Sequence, residues 1–439
     1  MDPSLTTLAE STLEYALRQG AKEAAVSVHR SRFVEVKRRD GRTETLQAST
    51  SRGLSVSLYV DGRYSSNGTS LLRDDQVRGF VDEVLAMTRH LAPDPHRALP
   101  DPALYGPTPA ELDLEDPGYD RCDMDWRLAQ VAAVEATARE PGGDRVISAT
   151  ASLVTQTGES LRLHSNGFRG ERRGTSFALA AAVTARDAEG RRPEDHSWAA
   201  AHHVSDLPAP EQVGREAARR ALERVGGEKA ASRRMTLVVE NRAAGRLLAA
   251  LLEPLTGASL QQRRSCFEGR IGQTIAAGHL TIVDEPLVPR GLGSRAFDEE
   301  GLAARRLPLI SSGELQSYLI DVYYGRKLGL PPTTGTTSNL VVAPGDRSLP
   351  QLLADVRQGI LVTSFLGGNS NAATVDFSFG VSGLLVSDGA AVRPVREMNI
   401  TGNHLSLWRE LQAVGNDPFP WSAWRTPSLV FADVQFSGL

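Results

Sequence analysis

The sequence predicts an α+β protein. Its N-terminal part combines helices with antiparallel hairpins, and its C-terminal part is β-rich with curved, barrel-like sheets. A helix followed by strand-like runs occurs twice in residues 1–230, and glycine turns separate the strand-like runs near the C-terminus. A polar, unpatterned stretch, GGEKAASRR, lies between the two parts. Because 439 residues are too many for one core, we expect an N-terminal α+β domain at 1–230 and a C-terminal β-rich domain at 234–439.

The first elements are predicted to be a helix and a meander of hairpins. The helix spans about residues 5–17 and ends near Gly20. Two strand-like runs follow, and they contain the dipeptide Asp-Gly at 40–41 and at 61–62. Asp-Gly favours the tight turns of two-residue hairpin loops, so antiparallel strands should meet at both positions.

The segment DDQVRGFVDEVLAMTRHL is predicted to be the next helix, because its apolar residues recur on one helical face. These residues are Val77, Phe80, Val81, Val84 and Leu91. Residues 92–120 contain seven prolines and several acidic residues. We expect this stretch to be an irregular surface strap.

A second round of helix and hairpins completes the N-terminal part. A helix over about 124–140 should end at Pro141 and the two glycines that follow it. Turns are predicted at Gly158-Glu159 and at Asn166-Gly167. A helix over 209–225 follows, with two glycines at its C-terminal end.

The C-terminal part is predicted to be mostly strand and turn, with two helices. One helix is GRLLAALLEPLTG at 245–257, which should stop at Glu253-Pro254, and the other begins at Leu349. The strand-like runs ILVTSFLGG, ATVDFSFGVSGLLVSDG and RPVREMNITGN are separated by glycine turns. This pattern favours curved or closed sheets.

Composition indicates a soluble protein of the cytoplasm. The 49 Lys and Arg and 53 Asp and Glu give a net charge of −4, which argues against nucleic acid as the main partner. No apolar run approaches the about 18 residues of a membrane helix, and the N-terminal residues lack the pattern of a signal peptide. Cys122 and Cys266 lie far apart without a CxxC or a neighbouring histidine, which fits inert thiols in a reducing compartment.

Common catalytic motifs are missing from the sequence. It contains no GxxxxGK(S/T), GxGxxG, GxSxG or HExxH. His202 and His203 are adjacent, and adjacent strand residues point to opposite faces, so we expect structural or surface roles for them. His164 is expected to flank a turn, and His404 to lie exposed near the start of a helix.

Nucleophilic and carboxylate chemistry is disfavoured by the sequence, although the fold could bring groups together. Ser, Thr and Asn are dense in TTGTTSNLVV and GGNSNAATVDFS, but no His or Lys lies nearby in sequence to serve as a base. Asp376, Glu397 and Asp417 are isolated carboxylates. We therefore name no catalytic residue, no metal ligand and no substrate-binding residue.

Several segments together resemble the TldD/PmbA (TldE) peptidase family, also known as modulators of DNA gyrase. In the N-terminal half these are a leading helix, GLSVSLYVDGRYSSNGTS and LHSNGF. In the C-terminal half they are FDEEGLAARRLPLISSGELQSYLIDVYYGRKLGL, GILVTSFLGGNSNAATVDFSFGVSG, DGAAVRPVREMNITGN and AVGND. Each segment is weak alone, but their order and spacing cover nearly the whole chain.

The family has two subunit types, and the helix at 245–257 distinguishes them. In the catalytic type this helix carries HExxxH, in which two histidines hold zinc and a glutamate activates water. With Gly245 to Leu248 in register, the three positions fall on Ala249, Ala250 and Pro254. The catalytic type also has a cysteine ligand near its C-terminus, whereas residues 418–431 here read PFPWSAWRTPSLVF. The chain therefore resembles the PmbA/TldE type.

The resemblance implies a subunit that is not catalytic alone and that holds no cofactor. Zinc is expected only in a TldD-like partner, and the heteromeric pair is expected to cleave unfolded polypeptides or peptide precursors. Trp421 and Trp424 would line the interface or channel, or fill a gap in the core. The alternative is a self-associating peptide-binding or scaffold protein without protease activity, and a homodimer is one form open to the isolated chain. A third reading keeps the chain an enzyme through its Ser- and Thr-rich segments.

Overall fold

The fold is described by a computed structural model that covers residues 2–106 and 111–439. It is mixed α+β, with antiparallel sheets and a closed five-stranded β-barrel in the C-terminal region, as the sequence predicts. Residues 107–110 of the predicted strap lie outside the described residues. Among the helices that are described, none is both long enough and apolar enough to cross a membrane.

Four helices and a six-stranded sheet make up the described residues before 224. The helices are α1 (Pro3–Arg18), α2 (Asp74–Thr88), α3 (Met124–Arg139) and α4 (Pro210–Glu223). The strands are β1 (Glu23–Arg39), β2 (Arg42–Val60), β3 (Arg63–Thr69), β4 (Val146–His164), β5 (Arg169–Ala185) and β6 (Glu194–Ala201). They pair in the order β3-β2-β1-β4-β5-β6, and every pair is antiparallel.

Both helix pairs pack against the same face of this sheet. Side chains alternate between the two faces of a strand, so Val26, Val28 and Val36 of β1 share a face. Val26 and Val28 are buried together with α1 and α2, whereas Val36 is buried together with α3 and α4. The opposite face carries Ser27 and its cross-strand neighbour Arg162. This second face is polar, and none of the four N-terminal helices described above packs on it.

The predicted hairpin turns are correct at three positions and wrong at one. Asp40 and Asp61 have φ of 51° and 49°, and the glycines that follow them also have positive φ, as a tight Asp-Gly turn requires. The turn at Asn166-Gly167 joins β4 to β5. The turn predicted at Gly158-Glu159 is wrong, because both residues lie inside β4, where Gly158 faces Gly174 of β5. Glycine inside a strand can mark a close backbone approach rather than a turn.

The predicted helices of the N-terminal part are present, with one correction at the end of α2. Val77, Val81 and Val84 are buried and Phe80 is partly buried, as predicted. Leu91 does not belong to this face, because the helix ends at Thr88 and Leu91 is 39% exposed. The described residues of the strap that follows include two short 3-10 turns, Pro102–Leu104 and Tyr119–Arg121.

The C-terminal half is built around a closed barrel. The barrel strands are β7 (Arg233–Val239), β12 (Gln358–Ser370), β13 (Asp376–Ser387), β14 (Ala390–Asn403) and β17 (Leu429–Ser437). They pair in the order β14-β13-β12-β7-β17, and a further pairing of β14 with β17 closes the ring. The β7–β12 pair is parallel, and the other pairs of the ring are antiparallel.

A second sheet and several short helices complete this half. The remaining strands are β8 (Ile282–Asp284), β9 (Leu307–Ser311), β10 (Glu314–Leu315), β11 (Leu340–Val342), β15 (Leu411–Val414) and β16 (Trp424–Arg425). The helices are α5 (Asn241–Leu252), α6 (Gly257–Gln261), α7 (Val322–Leu328), α8 (Leu349–Ala354) and α9 (His404–Arg409). Strand β15 pairs with β17, and the others form a sheet in the order β10-β9-β8-β11-β16. The sequence predicted α5, α8 and a helix start near His404, where α9 begins, but not α6 and α7.

The two halves are joined by buried charges. Arg220 of α4 is 5% exposed, and its Nη1 donates to both carboxylate oxygens of Glu240 at 2.7 and 2.8 Å. Its Nη2 donates to the carbonyl of Thr363 in β12 at 3.2 Å. Arg220 thus connects the last helix of the N-terminal half to the residue that precedes α5. The division into domains at 1–230 and 234–439 stays a prediction.

Candidate functional site

Helix α5 is the element on which the predicted function depends. It ends at Leu252, and a 3-10 turn over Glu253–Leu255 follows it, so the predicted stop at Glu253-Pro254 is confirmed. Its four leucine side chains are at most 4% exposed and lie in the large core cluster that also contains barrel residues. These side chains are Leu247, Leu248, Leu251 and Leu252. The predicted packing face of the helix is therefore correct.

Two positions near the C-terminal end of α5 and one in the 3-10 turn after it decide whether this region could hold a metal ion. Ala249 is exposed, Ala250 is 8% exposed, and Pro254 is buried. Two methyl groups and a pyrrolidine ring offer no side-chain nitrogen, oxygen or sulfur atom to zinc. Within residues 2–106 and 111–439, no three His, Cys, Asp or Glu side chains are grouped in a way that could hold a metal ion. The residues at this site do not fit zinc.

The segment 418–431 lies beside α5 and is held by hydrogen bonds and aromatic packing. The carboxylate of Asp417 accepts hydrogen bonds from the N–H and hydroxyl of Ser428 at 2.9 and 2.8 Å, which ties the two ends of the segment together. Trp424 packs against the core cluster, and its Nε1 donates to Thr337 Oγ1 at 3.3 Å. Trp421 is half-buried. Trp424 therefore packs against the core, which is one of the two roles predicted for it.

Two arginines occupy the outer side of α5, which we call the arginine strip (Arg242 and Arg246). The guanidinium of Arg242 lies 5.0 Å from the ring centroid of Phe419, and its Nη1 donates to Ser197 Oγ at 3.2 Å. Arg246 lies 5.0 Å from the Phe379 ring centroid, and its Nη2 donates to the Gly368 carbonyl at 2.9 Å. Burial lowers the pKa of Arg242. Guanidinium groups can donate to a carboxylate or a peptide carbonyl, but they do not abstract a proton from water.

The histidines predicted to be structural make local hydrogen bonds. His202 Nδ1 lies 2.6 Å from the carbonyl oxygen of Thr175, and His203 Nε2 lies 2.9 Å from a different carbonyl oxygen. His164 follows the prediction that it flanks a turn, but it is buried, and its Nδ1 lies 2.8 Å from the Tyr105 hydroxyl. Burial lowers the pKa of His164 to about 3. It is therefore a neutral hydrogen-bonding group at neutral pH.

The expectation that His404 is exposed is wrong. It is the first residue of α9, as predicted, but it is 1% exposed because the rings of Phe377 and Phe379 pack against it. Its Nε2 lies 3.0 Å from Ser370 Oγ, so the fold places a histidine beside a serine of the GGNSNAATVDFS segment. Sequence reasoning missed this pair, since Ser370 ends β12 and His404 begins α9, and the two are distant along the chain.

The Ser370–His404 pair lacks the features of a nucleophile and its base. Burial lowers the pKa of His404 to about 4, which makes it a weak base. Its Nδ1 is buried without a hydrogen-bond partner in the described part of the chain. The carboxylate that orients the imidazole in a Ser-His-Asp triad is thus missing from this position. The arrangement favours a packing role for His404.

The three isolated carboxylates do not form a pair with one another. Asp376 accepts a hydrogen bond from Asn403 Nδ2 at 3.0 Å, and Glu397 lies 3.6 Å from Lys229 Nζ. Asp417 is bound to Ser428, as described above. Because each carboxylate has its own partner, the arrangement does not support paired acid–base catalysis.

Three family models match consecutive parts of the chain. They are described as PmbA/TldA metallopeptidase domain 1, which matches residues 24–88, the central domain, which matches 123–225, and the C-terminal domain, which matches 232–438. Together they cover most of the 439 residues.

Two curated relatives are similar over almost their whole length. The chain is 29% identical over 419 residues to the metalloprotease PmbA of Escherichia coli O157:H7, with 94% of this chain and 92% of the relative covered. It is 26% identical over 431 residues to the metalloprotease PmbA homolog of Haemophilus influenzae, with 97% of this chain and 94% of the relative covered.

Two solved structures share the fold. One is described as a modulator of DNA gyrase from Bacteroides thetaiotaomicron, and it has 38% sequence identity, a TM-score of 0.96 and 99% of both chains covered. The other is TldE from Thermococcus kodakarensis, with 20% identity, a TM-score of 0.86, and 98% of this chain and 100% of that chain covered. At 20% identity the second likeness concerns the fold alone.

Proposed function

The chain belongs to the PmbA/TldD metallopeptidase family, and on this premise we propose that it is the non-catalytic subunit of a two-subunit zinc metallopeptidase. Its partner would be a TldD-like subunit that holds the zinc ion. The pair would cleave unstructured polypeptides or peptide precursors. No cofactor is assigned to this chain.

One observation carries the proposal: α5 has the packing of a core helix but no metal-binding side chain at Ala249, Ala250 or Pro254. Hydrolysis by zinc requires ligands for the ion and a base for the water molecule. A chain that keeps the helix and lacks those groups can still supply surface to an active site on another subunit. The buried leucines explain why the helix is retained, because deleting such side chains costs about 2–5 kcal/mol each.

We assign the arginine strip to the wall of the substrate channel. Arg246 and Ala249 are exposed, and the bond from Arg246 to Gly368 connects α5 to a stretch of β12 in which Leu366 is 53% exposed. Gly367 and Gly368 have φ of 125° and 111°, which leaves the backbone there irregular. An extended peptide could be held at such a place by backbone hydrogen bonds, strand against strand.

We also propose a cytoplasmic location. Cys122 and Cys266 are free thiols, and burial raises the pKa of both, that of Cys266 to about 11. Thiols that stay protonated at neutral pH are unreactive. Free, unreactive cysteines fit a reducing compartment.

The proposal is tested by reconstitution with a zinc-bearing TldD-like homologue. Each purified protein, and an equimolar mixture, is assayed for cleavage of an unfolded polypeptide, and the zinc content of each sample is measured by elemental analysis. We expect cleavage by the mixture alone and its loss on addition of a chelator. Zinc should be stoichiometric with the homologue and absent from the isolated chain.

Two variants make the assay specific. Arg246→Glu should reduce cleavage by the mixture, since it reverses the charge of the proposed wall, whereas Arg78→Glu on the exposed side of α2 should not. The proposal fails if the homologue alone is as active as the mixture, or if the isolated chain holds stoichiometric zinc and hydrolyses peptide. A self-associating scaffold would instead elute as a homo-oligomer and bind peptide while leaving the homologue's activity unchanged.

A further inference from the structure

A polar cavity of about 210 Å³ lies between the N-terminal sheet and the C-terminal half. Its floor is the sheet face that carries no helix, with Ser27 of β1, Ser55 of β2 and Arg162 of β4. Its walls include Arg97 of the strap and Glu300 of the C-terminal half. None of the residues that line it belongs to α5 or to the segment 418–431. The cavity is therefore separate from the site of the proposed function.

Strand register explains why the floor is rich in hydroxyl groups. Ser27 of β1 lies opposite Ser55 of β2 and opposite Arg162 of β4, so the three side chains share a face. Ser57 and Ser66 form the next pair on this face, with 2.9 Å between their hydroxyl oxygens. The hydroxyls of Ser27 and Ser55 make no hydrogen bond within residues 2–106 and 111–439. They are free to donate to a ligand.

Arg162 brings a positive charge to this floor that no carboxylate neutralises at contact distance. Its Nη1 donates to the backbone carbonyl of Glu299, and the Glu299 carboxylate is itself bound by Arg172 at 2.8 Å. Within the described part of the chain Arg162 has no ion pair. Burial lowers the pKa of Arg162, because the loss of water outweighs the opposing effect of the Glu299 charge.

Arg97 adds a second guanidinium group that forms no ion pair with a described residue. It lies 3.5 Å from the ring centroid of Tyr323 and 4.7 Å from that of Tyr64. These rings position the side chain by cation–π contact but do not neutralise its charge. Among the residues that the structure describes, Arg97 forms no ion pair either. Two cations thus face one cavity, and neither forms an ion pair with a described carboxylate.

Two carboxyl groups line the cavity, and one of them, that of Glu299, is already bound by Arg172 at 2.8 Å. Glu300 Oε2 accepts a hydrogen bond from the Val322 N–H at 2.8 Å. Burial raises the pKa of Glu300 to about 7, with Asp321 and Asp298 adding repulsion. Near neutral pH this group is therefore protonated in a large fraction of molecules and can itself donate a hydrogen bond.

We propose that this cavity binds a small oxyanion, either a carboxylate or a phosphate, between the guanidinium groups of Arg162 and Arg97. Guanidinium groups match the oxygen spacing of both anions and form charge-assisted hydrogen bonds with them. The hydroxyls of Ser27 and Ser55 supply further donors. The volume is below the roughly 300–1,000 Å³ of sites for drug-sized ligands, so the ligand is a small molecule or the charged end of a larger one.

The test uses the isolated chain, so it does not depend on a partner subunit or on peptidase activity. Inorganic phosphate and acetate are titrated separately at constant ionic strength, and binding is measured by isothermal titration calorimetry. Glycerol serves as the neutral probe. We expect saturable binding of one anion per chain and none of glycerol, and the two anion titrations show which of the two classes the site prefers.

Variants locate the binding in the cavity. Arg162→Gln and Arg97→Gln should each weaken the affinity by at least about tenfold, the usual loss for a hydrogen bond to a charged group. Arg78→Gln, a change of the same kind on the exposed side of α2, should leave it unchanged. Should Arg162→Gln fail to fold, Arg97→Gln together with Ser55→Ala, expected to cost about threefold, decides the question. The proposal is overturned if neither anion binds saturably, or if both arginine variants bind like the wild type.

Discussion

Glu300 is a carboxyl group whose charge is poorly stabilised in the folded protein. Its pKa is raised from an ordinary 4.5 to about 7, mainly by burial. The folded state therefore binds this proton more tightly than the unfolded state does, and the group reduces stability as the pH rises from about 4.5 to about 7. The effect is full above pH 7. It amounts to at most about 3 kcal/mol, since one pKa unit corresponds to about 1.4 kcal/mol.

The variant Glu300→Gln removes this titration and keeps an oxygen that can accept the hydrogen bond from Val322. We expect the variant to be more stable than the wild type at pH 8, by up to about 3 kcal/mol, and equal to it below pH 4.5. Urea denaturation followed by circular dichroism at a series of pH values measures the difference. Equal stability of the two proteins at pH 8 would contradict the assignment.

Two histidines reduce stability as the pH falls, whereas Glu300 reduces it as the pH rises. Comparison with a variant is needed to separate these effects. The pKa values of His164 and His404 are lowered by burial to about 3 and about 4. Because an unfolded histidine titrates near pH 6.5, these groups reduce stability as the pH falls below 6.5. Both remain in the Glu300→Gln variant, so their contribution cancels in the difference between the two proteins.

Gly245 in α5 and Gly214 in α4 both lie at interior helix positions, but their surroundings differ. In α5, a Cβ atom at Gly245 would meet Trp424 Cε3 at 3.9 Å, an ordinary van der Waals contact. In α4, a Cβ atom at Gly214 would lie 2.3 Å from the carbonyl oxygen of Val134 and 2.2 Å from Thr137 Oγ1. Gly214 is therefore required for the close packing of α4 on α3, whereas Gly245 is not required by packing.

Substitution by alanine should change the free energy of unfolding in opposite directions at the two positions. We expect Gly245→Ala to raise the free energy of unfolding by about 0.5–1 kcal/mol, since alanine favours the helix. Gly214→Ala should lower it by about 1–3 kcal/mol, because the backbone of α3 must move. Thermal denaturation of both variants measures this. A destabilised Gly245→Ala would show that α5 is packed more tightly than described.

Local sequence signals predict most of the elements but not all of them. The Asp-Gly dipeptides and the 3.6-residue periodicity correctly indicate the hairpins and α1–α4, since these depend on neighbouring residues. The turn at Gly158-Glu159 was a wrong prediction, because a glycine in a strand and a glycine in a turn look alike in sequence. Helices α6 and α7 were not predicted, and they have five and seven residues. Such short segments show little helical periodicity.

At the scale of the whole molecule, the Arg220–Glu240 pair connects the two halves. Both side chains are largely buried, with relative exposures of 5% and 14%. Removing Arg220 leaves the Glu240 carboxylate largely buried without its partner, whereas Arg220 also lies 3.5 Å from Asp195. The pair is thus expected to matter for stability far more than the many exposed pairs on the surface.

Arg220→Met should lower the free energy of unfolding by about 3 kcal/mol. The double variant Arg220→Met/Glu240→Gln should lose less than the sum of the two single variants, because neither charge is then left alone. The matched control is Arg234→Met, which breaks a pair with Asp433 whose members are 57% and 63% exposed and should cost less than about 1 kcal/mol. Additive losses in the double variant would show that the two side chains do not interact.

The candidate site is predictable from the sequence only where it depends on residue type. The lack of metal-binding side chains at Ala249, Ala250 and Pro254 can be read from the sequence once the resemblance is recognised. The contact between Ser370 and His404, and the cavity that joins Arg97 to Arg162, bring together residues that are distant along the chain. Such contacts depend on strand order and register, which local patterns do not specify.

The closure of the barrel has a consequence for biosynthesis. Strand β17 pairs with β7 at one side and with β14 at the other, and it is translated after both of them. While a ribosome is still producing this region, β7 and β14 expose unpaired edges that can associate with other nascent chains. Pairing of the first and last strands of the ring also gives a high contact order, which slows folding. The protein should therefore benefit from a chaperone that shields strand edges until translation is complete.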